Sequence, residues 1–138
     1  MNLKTALFAG TFEVFHQGHI DVLEQASKLF DHVYVAVSYN PYKNSLPIDQ
    51  RLISTQKVIK SLNLKNVTVI QNNGFGVICA KIHNCQYLIR GIRTVKDVEY
   101  ELELAIHNQE LEPSIRTIFL VAKNELQNIS SSSLLTRK

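Results

Sequence analysis

The sequence carries little excess charge and lacks long apolar runs. Fifteen Lys and Arg residues stand against twelve Asp and Glu residues, so the formal net charge is only +3. A net charge of this size does not by itself indicate nucleic-acid binding. No apolar stretch approaches the length of a membrane span, and the N-terminal segment lacks the apolar core of a signal peptide. We therefore expect a soluble, cytoplasmic protein that binds neither nucleic acids nor membranes.

Cysteine is scarce as well. The chain has only Cys79 and Cys85, with His83 between them. Three potential ligands bunched in this way lack the paired spacing of zinc motifs, and the segment VICAKIHNC favours a helix. We expect two buried, reduced thiols and no metal site built from the protein's own side chains.

Several catalytic signatures are missing too. The sequence has no GxxxxGK phosphate loop, no nucleophile elbow and no Ser-His-Asp order. No pair of carboxylates stands out for acid–base catalysis. These absences exclude a P-loop protein and leave no obvious covalent nucleophile.

What the sequence does contain is a regular alternation of secondary-structure patterns. The 138 residues, 45% of them hydrophobic, suit one domain over residues 1–138. Short valine-rich or apolar runs predict strands at 5–10, 32–39, 66–70, 86–90 and 115–122. Helical spacing of apolar residues predicts helices at 19–30, 48–62, 76–84 and 97–111, with a short final helix within 128–138. This order predicts an α/β fold, a five-stranded parallel sheet with helices on both faces.

The carboxyl ends of parallel strands form the usual ligand edge of such a sheet. After the first predicted strand, GTFEVFHQGH places Gly18 and His19 where a helix starts, and free N–H groups there attract phosphate. The alternative is that His16 and His19 merely decorate a loop. After the fourth predicted strand, Arg90 and Arg93 flank a glycine and suit phosphate binding. The alternative there is a solvated basic turn.

A third anion-binding candidate lies near the C-terminus. The stretch NISSSSLL joins hydroxyl groups to a predicted helix start, which makes a cradle for an anion. An ordinary capped helix would also use a serine here. Three such candidates at one edge of a sheet argue jointly for a polyphosphate ligand.

The stretches GTFEVFHQGH, RGIRTVKDVEYELELAIHNQEL and ISSS, in this order and spacing, resemble phosphopantetheine adenylyltransferases of the HxGH nucleotidyltransferase superfamily. The resemblance runs from residue 5 to about residue 135. It implies a Rossmann-like three-layer sandwich that transfers the adenylyl group of ATP to 4'-phosphopantetheine, giving dephospho-coenzyme A and pyrophosphate. It also implies in-line attack without a covalent enzyme intermediate, Mg²⁺ carried with ATP, and a homohexamer.

The resemblance also implies roles for individual residues. His19 would stabilise the transition state, with Lys43 and Arg93 beside the reacting groups. The implied substrate-binding residues on the phosphopantetheine side are Thr11, Lys43, Gly76 and Arg90. The implied ATP-binding residues are Thr11, Phe12, His19, Gly91, Ile92, Arg93, Glu101, Leu126, Gln127, Asn128, Ile129, Ser130, Ser131 and Ser132.

Three departures from the family pattern keep alternatives open. Glu13-Val14 stands where the family usually has Asp-Pro, His16 where it usually has threonine, and Leu126 where it often has an aromatic residue. His16 is more typical of cytidylyltransferases, so another small nucleotidyltransferase, such as a glycerol-3-phosphate cytidylyltransferase, is one alternative. A catalytically inactive nucleotide-binding relative is another.

Overall fold

The computed structural model describes residues 3–39 and 46–122, which form alternating strands and helices. The elements are β1 (Thr5–Gly10), α1 (Gln17–Leu29), β2 (His32–Ser38), α2 (Ile48–Ser61), β3 (Val67–Asn72), α3 (Gly76–Ile82), β4 (Tyr87–Ile92), α4 (Val95–Leu111) and β5 (Arg116–Val121). The predicted alternation is confirmed. The final helix predicted within 128–138 lies outside the described residues.

The five strands form one parallel sheet in the order β3-β2-β1-β4-β5. One row across the sheet, near the amino ends of the strands, joins Val67, Val33, Ala6, Tyr87 and Arg116. The strand order reverses at β1, because the chain runs from β1 outward to β3 and then crosses back to β4. The carboxyl ends of β1 and β4 therefore border the crevice where ligands bind in folds of this kind.

Helices cover both faces of the sheet. Phe8 of β1 and Val35 of β2 pack with Leu23 of α1 and Ile59 of α2 on one face. On the other face, Leu7 and Leu88 pack with Val77 and Ala80 of α3, and α4 lies beside β4 on that side. This arrangement confirms the predicted α/β, Rossmann-like three-layer sandwich. A single domain spanning residues 1–138 stays a prediction.

Several element boundaries differ from those predicted, and three of them bear on the site. The fourth strand continues through Gly91 and Ile92, because these residues pair with Leu120 and Val121 of β5. Gly91 and Ile92, which lie between Arg90 and Arg93, therefore belong to the carboxyl end of β4 rather than to a solvated turn. The helices α1 and α4 begin at Gln17 and Val95, two residues earlier than predicted, because the side chains that precede them cap their first turns.

The apolar stripe of α4 does not pack into the core. Val98, Leu102 and Ile106 share one side of this helix and are exposed. Helical periodicity identified the stripe correctly but does not say what covers it. The one buried residue of α4 is Glu101.

The cysteine segment matches its predicted structural role. Cys79 and Cys85 are free and buried, and burial raises the pKa of both thiols, that of Cys85 to about 12 with the neighbouring Cys79 adding to the effect. In residues 3–39 and 46–122, no group of three or more His, Cys, Asp or Glu side chains could hold a metal ion. In the same ranges, no helix is long and apolar enough to cross a bilayer. The cytoplasmic location stays a prediction.

Close packing between β4 and α1 requires glycine at position 91. A Cβ atom placed on Gly91 would lie 2.9 Å from Cγ2 of Val22. Neither neighbour can yield easily, since Val22 is buried in the core and position 91 belongs to a central strand. The glycine thus allows α1 to lie directly on the strand that carries Arg90.

We predict that Gly91→Ala lowers the free energy of unfolding by about 1–3 kcal/mol, the usual cost of overpacking. Urea titration followed by circular dichroism would measure it. Gly74→Ala is the matched control, since a Cβ there meets no atom within 4 Å. The double variant with Val22→Ala should be less destabilised than the two single changes added together. Additive losses would contradict the proposed clash.

Candidate active site

A cleft opens at the carboxyl ends of β1 and β4. One of its cavities has a volume of about 500 Å³. The residues that line it come from the loop after β1, the start of α1, the end of β4 and the start of α4. All four segments carry residues that the sequence singled out, and the reversal of the strand order at β1 brings them together.

The loop after β1 has a tightly determined shape. Phe12 adopts a left-handed backbone conformation, with φ of 48°. Its buried ring lies so close to Gly10 that a Cβ atom on that glycine would come within 2.8 Å of the ring. Glycine at position 10 is therefore needed for Phe12 to turn inward beneath the cleft.

A buried arginine outside the predicted site anchors this loop. Arg51 of α2 is only 2% exposed. Its Nη1 atom donates to the carbonyl oxygens of Thr11, at 2.6 Å, and Ser38, at 2.8 Å. Its Nε atom donates to the carbonyl of Leu46 at 2.8 Å, and the Leu46 N–H donates to Glu13. One guanidinium thus joins the site loop, the end of β2 and the start of α2.

His16 and His19 lie at the start of α1 and bond to each other's segment. The backbone N–H of His16 donates to Nδ1 of His19 at 3.2 Å, and Nδ1 of His16 accepts from the backbone N–H of Gly18 at 3.0 Å. Together they form a capping box that closes the first turn of α1. Because Nδ1 of His19 is an acceptor here, the neutral imidazole carries its proton on Nε2.

Aromatic rings surround His19 and keep it neutral. The rings of Phe12 and Phe15 have centroids 5.0 Å and 5.3 Å from that of His19, and Phe8 lies beyond at 6.4 Å. Burial lowers the pKa of His19 to about 4, and the nearby charges of His16 and Arg93 contribute further. A hydrogen bond with the backbone of Val14 acts in the opposite direction. At neutral pH, His19 is therefore an uncharged N–H donor.

Arg93 approaches the histidines from the other side of the cleft. Its Nη1 atom lies 3.3 Å from Nε2 of His16. The backbone N–H groups of Arg93 and Thr94 both donate to the carboxylate of Asp97, at 3.1 Å each, and this contact caps α4. Burial alone would raise the pKa of Asp97, but these hydrogen bonds lower it. The cap determines where the arginine leaves the backbone, at the rim of the cavity.

Arg90 is held by a two-pronged ion pair. Its Nε and Nη2 atoms donate to the two carboxylate oxygens of Glu101, at 2.8 Å and 2.7 Å. The third guanidinium nitrogen, Nη1, lies 3.3 Å from the carbonyl of Ala9. Burial opposes the charge of Arg90, but the hydrogen bonds and charge of Glu101 outweigh it and raise the pKa of the guanidinium. Glu101 thus holds Arg90 at the boundary between β1 and β4.

A second cavity of about 540 Å³ adjoins the first. Gly10, Thr11 and Arg90 line both cavities. Beyond them the second cavity is bordered mainly by apolar and aromatic side chains, among them Tyr39, Phe75, Leu88, Tyr100 and Leu104. The site therefore has a half that carries several charged side chains and His19, and a second half whose lining, among the described residues, has Arg90 as its one charged side chain.

Of the predicted site residues that lie within the described ranges, all but Ile92 line one of these two cavities. The first is lined by Thr11, Phe12, His19, Arg90, Gly91, Arg93 and Glu101, and the second includes Gly76. Ile92 is in β4 next to Val121 and is not among the lining residues. Lys43 and residues 126–132 lie outside the described residues, so their predicted roles stay predictions.

Sequence reasoning missed two residues that shape the site. Asp97 lines the first cavity and caps α4, and the spacing Thr94-x-x-Asp97 is a capping-box signal that could have revealed it. Arg51 reads in sequence as one more polar residue on an amphipathic helix. Nothing in its local pattern signals that the side chain is buried.

The arrangement suits charge stabilisation rather than covalent catalysis. The first cavity combines the neutral imidazole of His19, the guanidinium of Arg93 and the N-terminal end of α1. All three attract the oxygens of a phosphate group, and the buried surroundings strengthen that attraction. No serine or cysteine lines this cavity among the described residues.

Sequence comparison gives a consistent result over nearly the whole chain. A family model described as cytidylyltransferase-like matches residues 7–137. The chain is 39% identical over 133 residues to the phosphopantetheine adenylyltransferase of Malacoplasma penetrans, covering 96% of this chain and 88% of that protein. It is 42% identical over 130 residues to the phosphopantetheine adenylyltransferase of a Cyanothece species, covering 94% and 76% respectively.

Structural comparison supports the fold. A suggested nicotinate-nucleotide adenylyltransferase from Vibrio parahaemolyticus superposes with a TM-score of 0.66 at 19% identity, over 99% of this chain and 93% of that one. A lipopolysaccharide core biosynthesis protein from Thermoplasma volcanium superposes with a TM-score of 0.60 at 20% identity, over 88% and 98%. At these identities the likeness shows a shared fold and no more.

The lowered pKa of His19 predicts a specific pH dependence of stability. The unfolded chain takes up a proton on this histidine near the ordinary pKa of 6.5, whereas the folded protein does so only near 4. The free energy of unfolding should therefore fall as the pH drops from 6.5 to 4. Urea unfolding at several pH values would measure this fall, and His19→Asn should remove His19's share of it. Parallel curves for the two proteins would contradict the assignment.

Proposed function

This chain belongs to the phosphopantetheine adenylyltransferases within the cytidylyltransferase-like family, and we propose that its cleft transfers the adenylyl group of ATP to 4'-phosphopantetheine. The products are dephospho-coenzyme A and pyrophosphate. The single observation that carries the proposal is the pair of cavities that meet at Thr11 and Arg90. Such a pair suits two substrates whose reacting phosphates must come together.

The first cavity fits the phosphates of ATP. His19 and Arg93 offer hydrogen-bond donors there, and the positive end of the α1 dipole adds to the attraction. Gly91 and Phe12 also line this cavity. The predicted contacts of Lys43 and of residues 126–132 with the nucleotide belong to the proposal on the strength of the resemblance.

The second cavity fits the pantetheine arm. Within the part of the chain that the structure describes, Arg90 is the one charged side chain of its lining, which mixes aromatic, aliphatic and uncharged polar groups and so suits a long, uncharged chain with amide groups. Gly76 at the start of α3 leaves room beside Ala9. Arg90 stands at the entrance from this cavity to the first, where its positive charge would meet the terminal phosphate. Glu101 holds Arg90 in this position through two hydrogen bonds. This role comes in addition to the ATP contact that the resemblance implies for Glu101.

The reaction then needs no enzyme nucleophile. A phosphate oxygen of phosphopantetheine attacks the α-phosphorus of ATP, and the bond from that phosphorus to the bridging oxygen of the β-phosphate breaks. Pyrophosphate takes the electron pair and leaves. His19 and Arg93 stabilise the negative charge that builds up on the α- and β-phosphate oxygens, and the cleft holds both reactants in line.

We propose Mg²⁺ as the accompanying metal, brought in with ATP. Within the described residues, the protein has no cluster of side chains that could hold a metal alone. That fits an ion bound chiefly by ATP oxygens and water, and its charge would neutralise the phosphates during transfer.

Turnover assays test this proposal directly. Purified protein with ATP, Mg²⁺ and 4'-phosphopantetheine should release pyrophosphate. A parallel mixture of CTP and glycerol 3-phosphate tests the cytidylyltransferase alternative, and its turnover alone would replace the proposal. Absence of pyrophosphate release in both mixtures would favour the alternative of an inactive, nucleotide-binding relative.

We predict that His19→Ala lowers kcat by about two or more powers of ten, because it removes a transition-state donor. Pyrophosphate release under saturating substrates would measure the loss. His32→Ala is a matched control, since His32 lies at the amino end of β2, away from the cleft. A near-normal rate for His19→Ala, with the circular dichroism spectrum unchanged, would refute the role of His19.

We also propose that the protein is a homo-oligomer, a hexamer by resemblance, with α4 at an interface. The supporting feature is the exposed apolar stripe, in which Leu102 and Ile106 are 53% and 52% exposed. An uncovered stripe of this kind on a surface helix is typical of a protein–protein contact.

Leu102→Glu together with Ile106→Glu should therefore reduce the sedimentation coefficient toward that of the monomer. Leu29→Glu, at an exposed leucine at the end of α1, is the control and should leave assembly unchanged. An unaltered sedimentation profile for the double variant would exclude this face as the interface.

A further inference from the structure

The ring of His16 lies flat against the ring of His19. Their centroids are 3.8 Å apart and their planes differ by 23°. Phe12 meets His19 edge-on at 84°, and Phe15 is tilted by 40°. Among these neighbours, His16 is the one that covers a face of the His19 ring.

The edges of the His16 ring are engaged with the protein. Nδ1 accepts the N–H of Gly18 at 3.0 Å, and Nε2 lies 3.3 Å from Nη1 of Arg93. Gly18 also makes room for the ring, because a Cβ atom there would lie 2.9 Å from Cε1 of His16. The ring is therefore wedged between the helix start and Arg93, with its flat face turned to His19.

We propose that His16 is a positioning residue for His19, acting through the stacked ring rather than through a bond to substrate. The inference rests on the proposed adenylyl transfer, in which His19 must offer one N–H at a defined place. The backbone N–H of His16 selects the tautomer of His19, and the side chain of His16 limits how far the ring can turn. A donor that is already held in place loses less free energy when charge develops in front of it.

A positioning role and a phosphate-binding role make different kinetic predictions. A residue that holds His19 affects kcat and leaves the KM for ATP nearly unchanged. A residue that binds the phosphates of ATP in the ground state and transition state alike raises that KM. The ring of His16 also has two separable structural features, the capping nitrogen and the stacked face.

Two substitutions separate these features. His16→Asn keeps a side-chain acceptor for the helix cap but removes the stacked ring. His16→Phe keeps a flat ring against His19 but removes the capping nitrogen. We expect His16→Asn to lower kcat by about three- to tenfold, the kinetic equivalent of one aromatic contact, with the KM for ATP within twofold. We expect His16→Phe to keep kcat within about twofold and to lower the melting temperature through loss of the cap.

A second readout does not depend on turnover. In the substrate-free protein, the ring carbon–proton NMR signals of His19 should broaden or shift in His16→Asn and stay close to wild type in His16→Phe. His32→Asn, at the far end of the sheet, is the matched control and should alter neither kcat nor the His19 signals.

The possible outcomes are distinct. A raised KM for ATP with kcat unchanged in both variants would overturn the inference in favour of phosphate binding by His16. Loss of kcat in His16→Phe but not in His16→Asn would attribute the effect to the cap, and equal loss in both would attribute it to the imidazole itself, such as Nε2 beside Arg93; either result would also overturn the inference. If the wild type showed no adenylyl transfer, the proposed function would fail, while the NMR comparison would still decide whether His16 holds His19.

Discussion

The site depends on the way the chain leaves and re-enters the middle of the sheet. The segment after β1 passes over one face into α1, and the chain returns to β4 beside β1 after α3 has crossed the other face. The loops that follow β1 and β4 lead to opposite faces of the sheet, so they diverge and leave a crevice between them. His19 enters the crevice from one side, and Arg90 from the strand that forms its floor.

Within the crevice, the hydrophobic core and the surroundings of His19 share the same aromatic rings. Phe8, Phe12 and Phe15 belong to the main hydrophobic core and also surround His19. The rings that stabilise the fold therefore also bury the imidazole of His19 and lower its pKa. An uncharged donor next to Arg93 avoids repulsion between two cations, and it still offers a hydrogen bond to a phosphate oxygen.

Periodicity and turn residues were sufficient to predict the alternation of strands and helices, the parallel sheet and the carboxyl-end location of the site. The motifs around His19 and Arg90 identified residues that the fold then brings to one cleft. Pairings between distant segments could not be read in this way. The Arg90–Glu101 ion pair needs the docked position of α4, and the burial of Arg51 needs three loops to converge. The start of α1 was also misplaced, because a capping histidine is not among the usual N-cap residues.

The Arg51 guanidinium couples the stability of the loop at the rim of the cleft to that of α2. It sits in the first turn of that helix and bonds only to carbonyl groups among its described partners. Fraying of this turn would release the Thr11 carbonyl, the end of β2 and Leu46 in a single event. The two sides of the substrate entrance would then open as one unit of local unfolding, and amide hydrogen exchange would reveal them as one cooperative segment.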